Sequence, residues 1–267
     1  MNIAIIGAKG YVGTAYNKMF PEAILYDEPL GIGSRKSVNS ADMAIVAVPT
    51  DPLKDGSLDM SIVEEVVDWL ETPLILIKSA LMPGTVDRLV KKTGKKIAVS
   101  IEYIGMGKYY VPMEYPDPED PRKHQMIVIG GEEETATKCA ELLWEKMSPT
   151  IKIHINTALE VEIGKLVENS YPALKVTFIN CLFNLAKKSG ANFIRLHQGW
   201  TADPRVDGMH LRTTSNKRGW KSHCWDKDLK AFEYYAKKIG ADDTYKLFKL
   251  VIELNKEHLL SNKMEEK

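Results

Sequence analysis

Charge of one sign is what this 267-residue chain lacks most plainly: 36 lysines and arginines stand against 36 acidic residues. Without a basic surplus, neither nucleic acid nor an anionic membrane surface is marked as the main partner. Cysteine is scarce as well. Cys139, Cys181 and Cys224 are too few and too scattered for a disulfide framework, which points to a reducing compartment, taken here as the cytoplasm. No apolar run approaches the ~20 residues of a membrane helix. The opening MNIAIIGAKG lacks the basic start and longer apolar stretch of a signal peptide. Repeats and low-complexity tracts are missing too. What remains is a chain long enough for one large domain or two smaller ones, each with its own core.

What is present alternates. Short apolar runs at Ile3–Ile6, Ala23–Tyr26, Met43–Val48, Leu74–Lys78, Lys96–Val99 and Met126–Ile129 read as strands. Between them Tyr11–Phe20, Ser61–Leu70, Gly84–Lys92 and Glu132–Lys146 read as helices. Unbroken apolar runs suit strands buried on both faces of a parallel sheet, and the βα alternation predicts a doubly wound, Rossmann-type α/β domain over residues 1–155. Strands are then expected to stop, leaving an all-helical domain over 156–267. Its first element is one long helix from Asn156 to Lys188, capped by Asn156 or Thr157 and kinked or broken at Pro172. Lys227–Ile239 and Asp242–Leu260 read as further helices, Ala191 to His223 as irregular, and the tail SNKMEEK as a frayed end.

IAIIGAKGYVG joins a strand, a glycine-rich turn and a helix start. Gly7, Gly10 and Gly13 permit a tight turn, close approach to a pyrophosphate and close helix–strand packing, and the helix opening at Tyr11 and Val12 turns its positive end to the phosphates. Asp27 ends the second strand, where a carboxylate binds the adenosine ribose hydroxyls and repels the extra phosphate of NADP. NAD is therefore the expected cofactor. The G-x-x-G-x-x-G spacing is one residue looser than the usual fingerprint, and glycine also serves turns for conformational reasons alone. VAVPT, with Val48, Pro49 and Thr50, and IKSALMPGT, with Ser79, follow strand ends on the edge where open α/β sheets bind ligands; they read equally as ordinary turns.

Three further segments hold residues suited to chemistry. Glu102 follows an apolar strand in SIEYIGMG, in a setting that also fits a plain surface glutamate. Glu162, Lys165 and Asn169 share one helical face: either an exposed face with a Glu–Lys pair, or a lysine and an amide aimed at a substrate. In GWKSHCWDKDLKAF, Cys224 sits between His223 and Trp225 with Lys227 close by, a charged neighbourhood that suits a reactive thiol better than a filler. Cys139 and Cys181 read as apolar filler. His210, His223 and Cys224 lack compact ligand spacing, so no metal is expected.

Taken in order, GxxGYVG with its downstream Asp27, VAVPT, KSALMPGT, IEYIG, the E-x-x-K-x-x-x-N run followed by VTFIN, DPRVDG and C-W-D-K-D-L resemble the UDP-glucose/GDP-mannose dehydrogenase family. The resemblance spans residues from about 3 to 232, and C-W-D-K-D-L against the family's C-F-P-K-D-L is its most specific element. It implies oxidation of a nucleotide sugar's C6 alcohol to a carboxylate with two NAD in succession, UDP-glucose being the substrate expected. It further implies that the Cys224 thiolate attacks the C6 aldehyde, giving a thiohemiacetal and then a thioester. Asp228, one turn on, would orient water or act as base. Lys165 would stabilise the oxyanion, with Asn169 as a second donor. Glu102 matches a glutamate implicated in acid–base work or water activation. Arg205 matches an arginine that reaches a neighbouring subunit's substrate, and the long helix around 157–188 implies a homodimer.

This sequence departs from the family's pattern in places. Ala80 stands where the family has threonine, beside Ser79, and Met106 where it has a second glutamate. The glycine-rich G-F-G-G-S-C loop is GWKSHC, and a few extra residues separate Arg205 from Cys224. Full members carry a third, nucleotide-binding domain, and this chain stops about where it would begin; its polar tail reads as a natural end. Arg212, Lys217, Arg218 and Lys221 are then the candidates to hold the nucleotide. Two rivals stay open: a 3-hydroxyacid dehydrogenase-like protein doing one oxidation with Lys165 and Asn169, and a non-catalytic NAD- or nucleotide-sugar-binding protein.

Overall fold

A computed structural model describes residues 1–104, 117 and 119–265. Seven strands form one sheet: β1 (Ile3–Ile6), β2 (Ile24–Tyr26), β3 (Met43–Val46), β4 (Leu74–Ile77), β5 (Ile97–Ser100), β6 (Met126–Gly131) and β7 (Lys152–Asn156), in the order β2-β1-β3-β4-β5-β6-β7. All neighbouring pairs run parallel except β5 with β6. β1, β3, β4 and β5 are buried along their whole length, as unbroken runs such as IAII and LILI require. Helices α1 (Tyr11–Met19), α2 (Arg35–Val38), α3 (Ser61–Trp69), α4 (Thr85–Thr93) and α5 (Glu133–Trp144) fill the connections. β7 was not foreseen. Its sequence KIHIN alternates polar and apolar residues, and as an edge strand it is exposed throughout, so it carries none of the core signal that betrayed the others.

The helical part comprises α6 (Ala158–Ser189), α7 (Phe193–Thr201), α8 (His223–Ile239) and α9 (Asp242–Glu265). Contacts divide the chain into two compact units, Met1–Lys165 and Leu166–Lys267. α6 opens with a reciprocal cap: Thr157 N–H donates to Glu160 Oε2 at 2.8 Å and Glu160 N–H to Thr157 Oγ1 at 3.3 Å. It continues through Pro172 as one 32-residue helix, where a break was one expectation. α7 lies inside the stretch expected to be irregular, started by the Asn192 side chain accepting Arg195 N–H at 3.0 Å. α8 starts four residues earlier than the charge pattern suggested, because Ser222 Oγ accepts Trp225 N–H at 3.4 Å. Ala173, Trp220, Leu229, Phe248 and Val251 form the core of this second unit.

Candidate active site

The glycine turn is built by packing before any ligand is considered. Gly7 has φ +74°, and a Cβ there would lie 2.3 Å from the Ala47 carbonyl oxygen; on Gly13 it would lie 2.2 Å from that of Gly7. Both glycines are therefore demanded by the fold. Gly10 differs: the nearest atom to an added Cβ is 3.3 Å away, and Gly10 caps α1 with no side-chain hydrogen bond. An uncapped helix N-terminus of this kind suits a phosphate. Asp27 is buried at the end of β2 and reaches back to the turn, one oxygen accepting Lys9 N–H at 2.9 Å. Its second oxygen makes no hydrogen bond among the described residues, which leaves it for a ribose hydroxyl. These residues fit NAD. A groove of about 330 Å³ runs beside α1, lined by Lys9, Tyr11, Thr14 and Lys18.

The loops after β3 and β4 are tied together by one hydroxyl. Ser79 Oγ donates to the Val48 carbonyl at 2.7 Å and accepts Val48 N–H at 3.0 Å, so it is already spent on the protein's own backbone. Thr50 is buried beside exposed Pro49.

Glu162 does not fit the exposed Glu–Lys pair that was one of the two readings of this face. It is 1% exposed, and its carboxylate accepts Gly84 N–H at 2.5 Å and Val86 N–H at 2.8 Å, fixing the start of α6 to the start of α4. Burial pushes it up to about 7, against the pull of those two donors. The usual value is 4.5, so the protonated form is favoured in the folded chain. Its contribution to stability is present below about pH 4.5 and lost as pH rises through 7. Glu162→Gln cannot ionise. The stability of wild type relative to this variant is expected to fall by about 3 kcal/mol between pH 4.5 and 8, read from denaturant unfolding; a pH-independent difference contradicts it.

Glu102 is likewise no surface residue. It is buried, with Oε2 3.3 Å from Lys78 Nζ and Oε1 accepting Ile104 N–H at 2.8 Å, while its backbone carbonyl accepts Lys165 Nζ at 2.7 Å. Lys78 lies in the quoted segment KSALMPGT, but the sequence reading gave it no role. Met106 lies outside the described residues.

In the second unit Cys224 occupies the second position of α8, on the first turn of that helix. One turn on, Asp228 is 1% exposed. Asn169 Nδ2 donates to its Oδ2 at 2.6 Å and Lys227 Nζ to its Oδ1 at 2.8 Å. The sequence thus named both partners of Asp228 without foreseeing their contact. The other two cysteines behave as filler: burial pushes Cys139 up to about 12, and Cys181, also raised by burial, lies 3.7 Å from His258 Nε2.

The proposed nucleotide-holding cations divide. Arg212, Lys217 and Lys221 are exposed. Arg218 is buried and committed to the fold: Nε donates to Asn180 Oδ1 at 2.6 Å, Nη2 to the Asn180 carbonyl at 2.9 Å and to Asn184 Oδ1 at 2.8 Å, and the guanidinium lies 4.3 Å from the Phe183 ring centre. Arg218 is therefore withdrawn from that list. Arg205 is exposed and chelated by Asp203. Among the described residues no group of three His, Cys, Asp or Glu is arranged for a metal, and no helix is long and apolar enough to cross a membrane.

Residues 30–148 match the NAD binding domain of the UDP-glucose/GDP-mannose dehydrogenase family, and residues 159–257 match its central domain. The chain belongs to this family. The UDP-glucose 6-dehydrogenase of Rickettsia bellii is 25% identical over 257 residues, covering 91% of this chain and 56% of that protein. The chain spans about half the length of the curated relatives it matches. Among solved structures, a UDP-glucose dehydrogenase of Pyrobaculum islandicum superposes with TM-score 0.78 at 23% identity, covering 96% of this chain and 68% of that one. A 3-hydroxyisobutyrate dehydrogenase of Mycobacterium tuberculosis gives TM-score 0.66 at 17% identity, covering 96% and 94%. At these identities the two structures show the fold, a doubly wound α/β domain followed by helices, which family members share.

Proposed function

We propose that this chain oxidises the C6 alcohol of a nucleotide sugar, UDP-glucose foremost, to the carboxylate. The observation that carries the reading is the Cys224-to-Asp228 turn of α8, with Asp228 buried and held by Asn169 and Lys227. Gly7, Gly10, Tyr11, Val12, Gly13 and Asp27 would hold NAD, with Val48, Pro49, Thr50 and Ser79 forming the neighbouring loops. Bound NAD supplies the hydride acceptor for both oxidations.

Loss of hydride from C6 and of the hydroxyl proton gives the aldehyde. Cys224 thiolate forms a C–S bond to C6, and Lys165 with Asn169 stabilises the oxygen that gains charge. A second loss of hydride gives the thioester. Water oriented by Asp228 then adds at C6 and the C–S bond breaks, returning the thiolate and releasing the acid and a proton. Arg205 and Lys221, both exposed, are the cations offered to the substrate's phosphates. The test is NADH formation with NAD across UDP-glucose, UDP-galactose, UDP-N-acetylhexosamines and GDP-mannose. Production of a sugar acid from one of them supports the reading; bound NAD with no turnover across the set overturns it and favours a binding protein.

The fold shared with 3-hydroxyisobutyrate dehydrogenase over nearly the whole of both chains favours one second reading, a single oxidation of a hydroxyacid. That chemistry has no need of Cys224.

Homodimerisation through α6 is part of the proposal. Val167, Tyr171, Phe178 and Leu185 leave large apolar surfaces exposed at spacings of 4, 7 and 7 residues, one stripe along the helix. Light scattering is expected to give twice the 30.0 kDa chain mass for wild type and the single mass for Phe178→Asp. A wild-type monomer contradicts it.

A further inference from the structure

Three consecutive backbone N–H groups on the approach to Cys224 are each taken by an asparagine. Arg218 N–H donates to Asn262 Oδ1 at 2.9 Å, Gly219 N–H to Asn180 Oδ1 at 3.2 Å and Trp220 N–H to Asn255 Oδ1 at 2.8 Å. The two asparagines of α9 also return a bond. Asn262 Nδ2 donates to the Arg218 carbonyl and Asn255 Nδ2 to the Trp220 carbonyl, both at 2.9 Å. A side-chain amide carries a donor and an acceptor as a peptide group does, so α9 pairs with this segment much as a neighbouring strand would. Gly219 lies between the two pairs at φ +71°, and a Cβ on it would come within 2.7 Å of Asn255 Oδ1. It is the one glycine of GWKSHC, where the family's loop has three. Trp220 Nε1 donates to Thr177 Oγ1 at 3.1 Å, which seats the indole on α6. Two residues past Trp220, Ser222 caps α8, and Cys224 follows on its first turn.

Backbone outside a sheet needs partners for its polar groups, and for an exposed loop water suffices. Here side chains from two helices replace water along residues 218–220 and remove the segment's freedom. We infer that Asn255 and Asn262 are positioning residues: by gripping residues 218–220 they fix where α8 starts, and hence where the Cys224 sulfur stands relative to the carbon it attacks. The inference rests on Cys224 being the nucleophile of the proposed reaction. Neither asparagine touches substrate. Their effect runs through the thiol, whose displacement by about 1 Å can cost roughly a hundredfold in rate.

The experiment compares wild type with Asn255→Leu and Asn262→Leu. Leucine keeps the shape of the amide and removes both of its bonds. Asn255 is 4% exposed and Asn262 is only half-buried, so Asn262→Leu decides alone if Asn255→Leu fails to fold. One readout is the rate at which iodoacetamide alkylates Cys224 without substrate, with Cys139, buried in the first unit, as the gauge of global unfolding. The others are melting temperature and the two hydride transfers measured apart, the first from the nucleotide sugar and the second from its C6 aldehyde. Positioning predicts several-fold faster alkylation of Cys224 with Cys139 still protected. It also predicts a first transfer at the wild-type rate and a second slowed roughly tenfold or more. A merely structural role predicts a lower melting temperature with alkylation and both transfers of the folded protein at wild-type rates. That result overturns the inference, and so does equal slowing of the two transfers, since only the second needs the thiol. If wild type turns over no nucleotide sugar, the functional reading falls and Cys224 alkylation decides, an unchanged rate in the variants refuting the inference.

Discussion

Cys224→Ala is expected to reduce sugar-acid production by at least about a thousandfold while leaving the fold in place. The thiol sits half-buried on the first turn of α8, outside the packed clusters, so its removal opens no core cavity. The turn itself is set by Ser222, whose cap survives the substitution. Melting temperature and NAD affinity should therefore stay at wild-type values, which separates loss of the nucleophile from loss of the protein. Oxidation can then proceed no further than the aldehyde, because no thioester can form. Acid production persisting in the variant contradicts the covalent mechanism.

Asp228→Ala should be costly twice over. The carboxylate accepts from both Asn169 and Lys227, and the Lys227 side chain is itself only 12% exposed. Removing one member of a buried pair leaves an uncompensated charge, a penalty of about 3–5 kcal/mol. For a chain of this size that corresponds to a fall in Tm of roughly 6–20 °C at 2–4 °C per kcal/mol. Activity should drop by about a hundredfold or more through loss of the group that handles water. The two effects come apart in Asp228→Ala/Lys227→Met. Neutralising the orphaned lysine should restore most of the stability and none of the activity. Recovery of both would make Asp228 a purely structural anchor.

Local signals were legible and long-range commitments were not. β1, β3, β4 and β5 could be read because burial on both faces writes itself as unbroken apolar residues. The start of α6 could be read because Thr157 and Glu160 carry their cap in four consecutive residues. β7 could not, since an exposed edge strand needs no apolar run. Glu162 looked like half of a surface pair because its partners, Gly84 and Val86, are some 76 to 78 residues away and offer only backbone N–H. Arg218 looked like a phosphate ligand for the same reason: a cation's partner across 38 residues leaves no mark beside it. Lys78 and Glu102 are separated by 24 positions, and nothing in either segment announces that a buried ammonium and carboxylate meet. By contrast the Cys224–Asp228 turn stood out because several chemical groups crowd into five residues.

The most direct test of the central claim is the ratio of NADH formed to nucleotide sugar consumed, measured with limiting substrate and excess NAD. Two NADH per sugar, with one sugar acid released, is the predicted result, since both oxidations occur at the same carbon, the second of them through the Cys224 adduct. One NADH per substrate would contradict the account and assign the chain to a single oxidation.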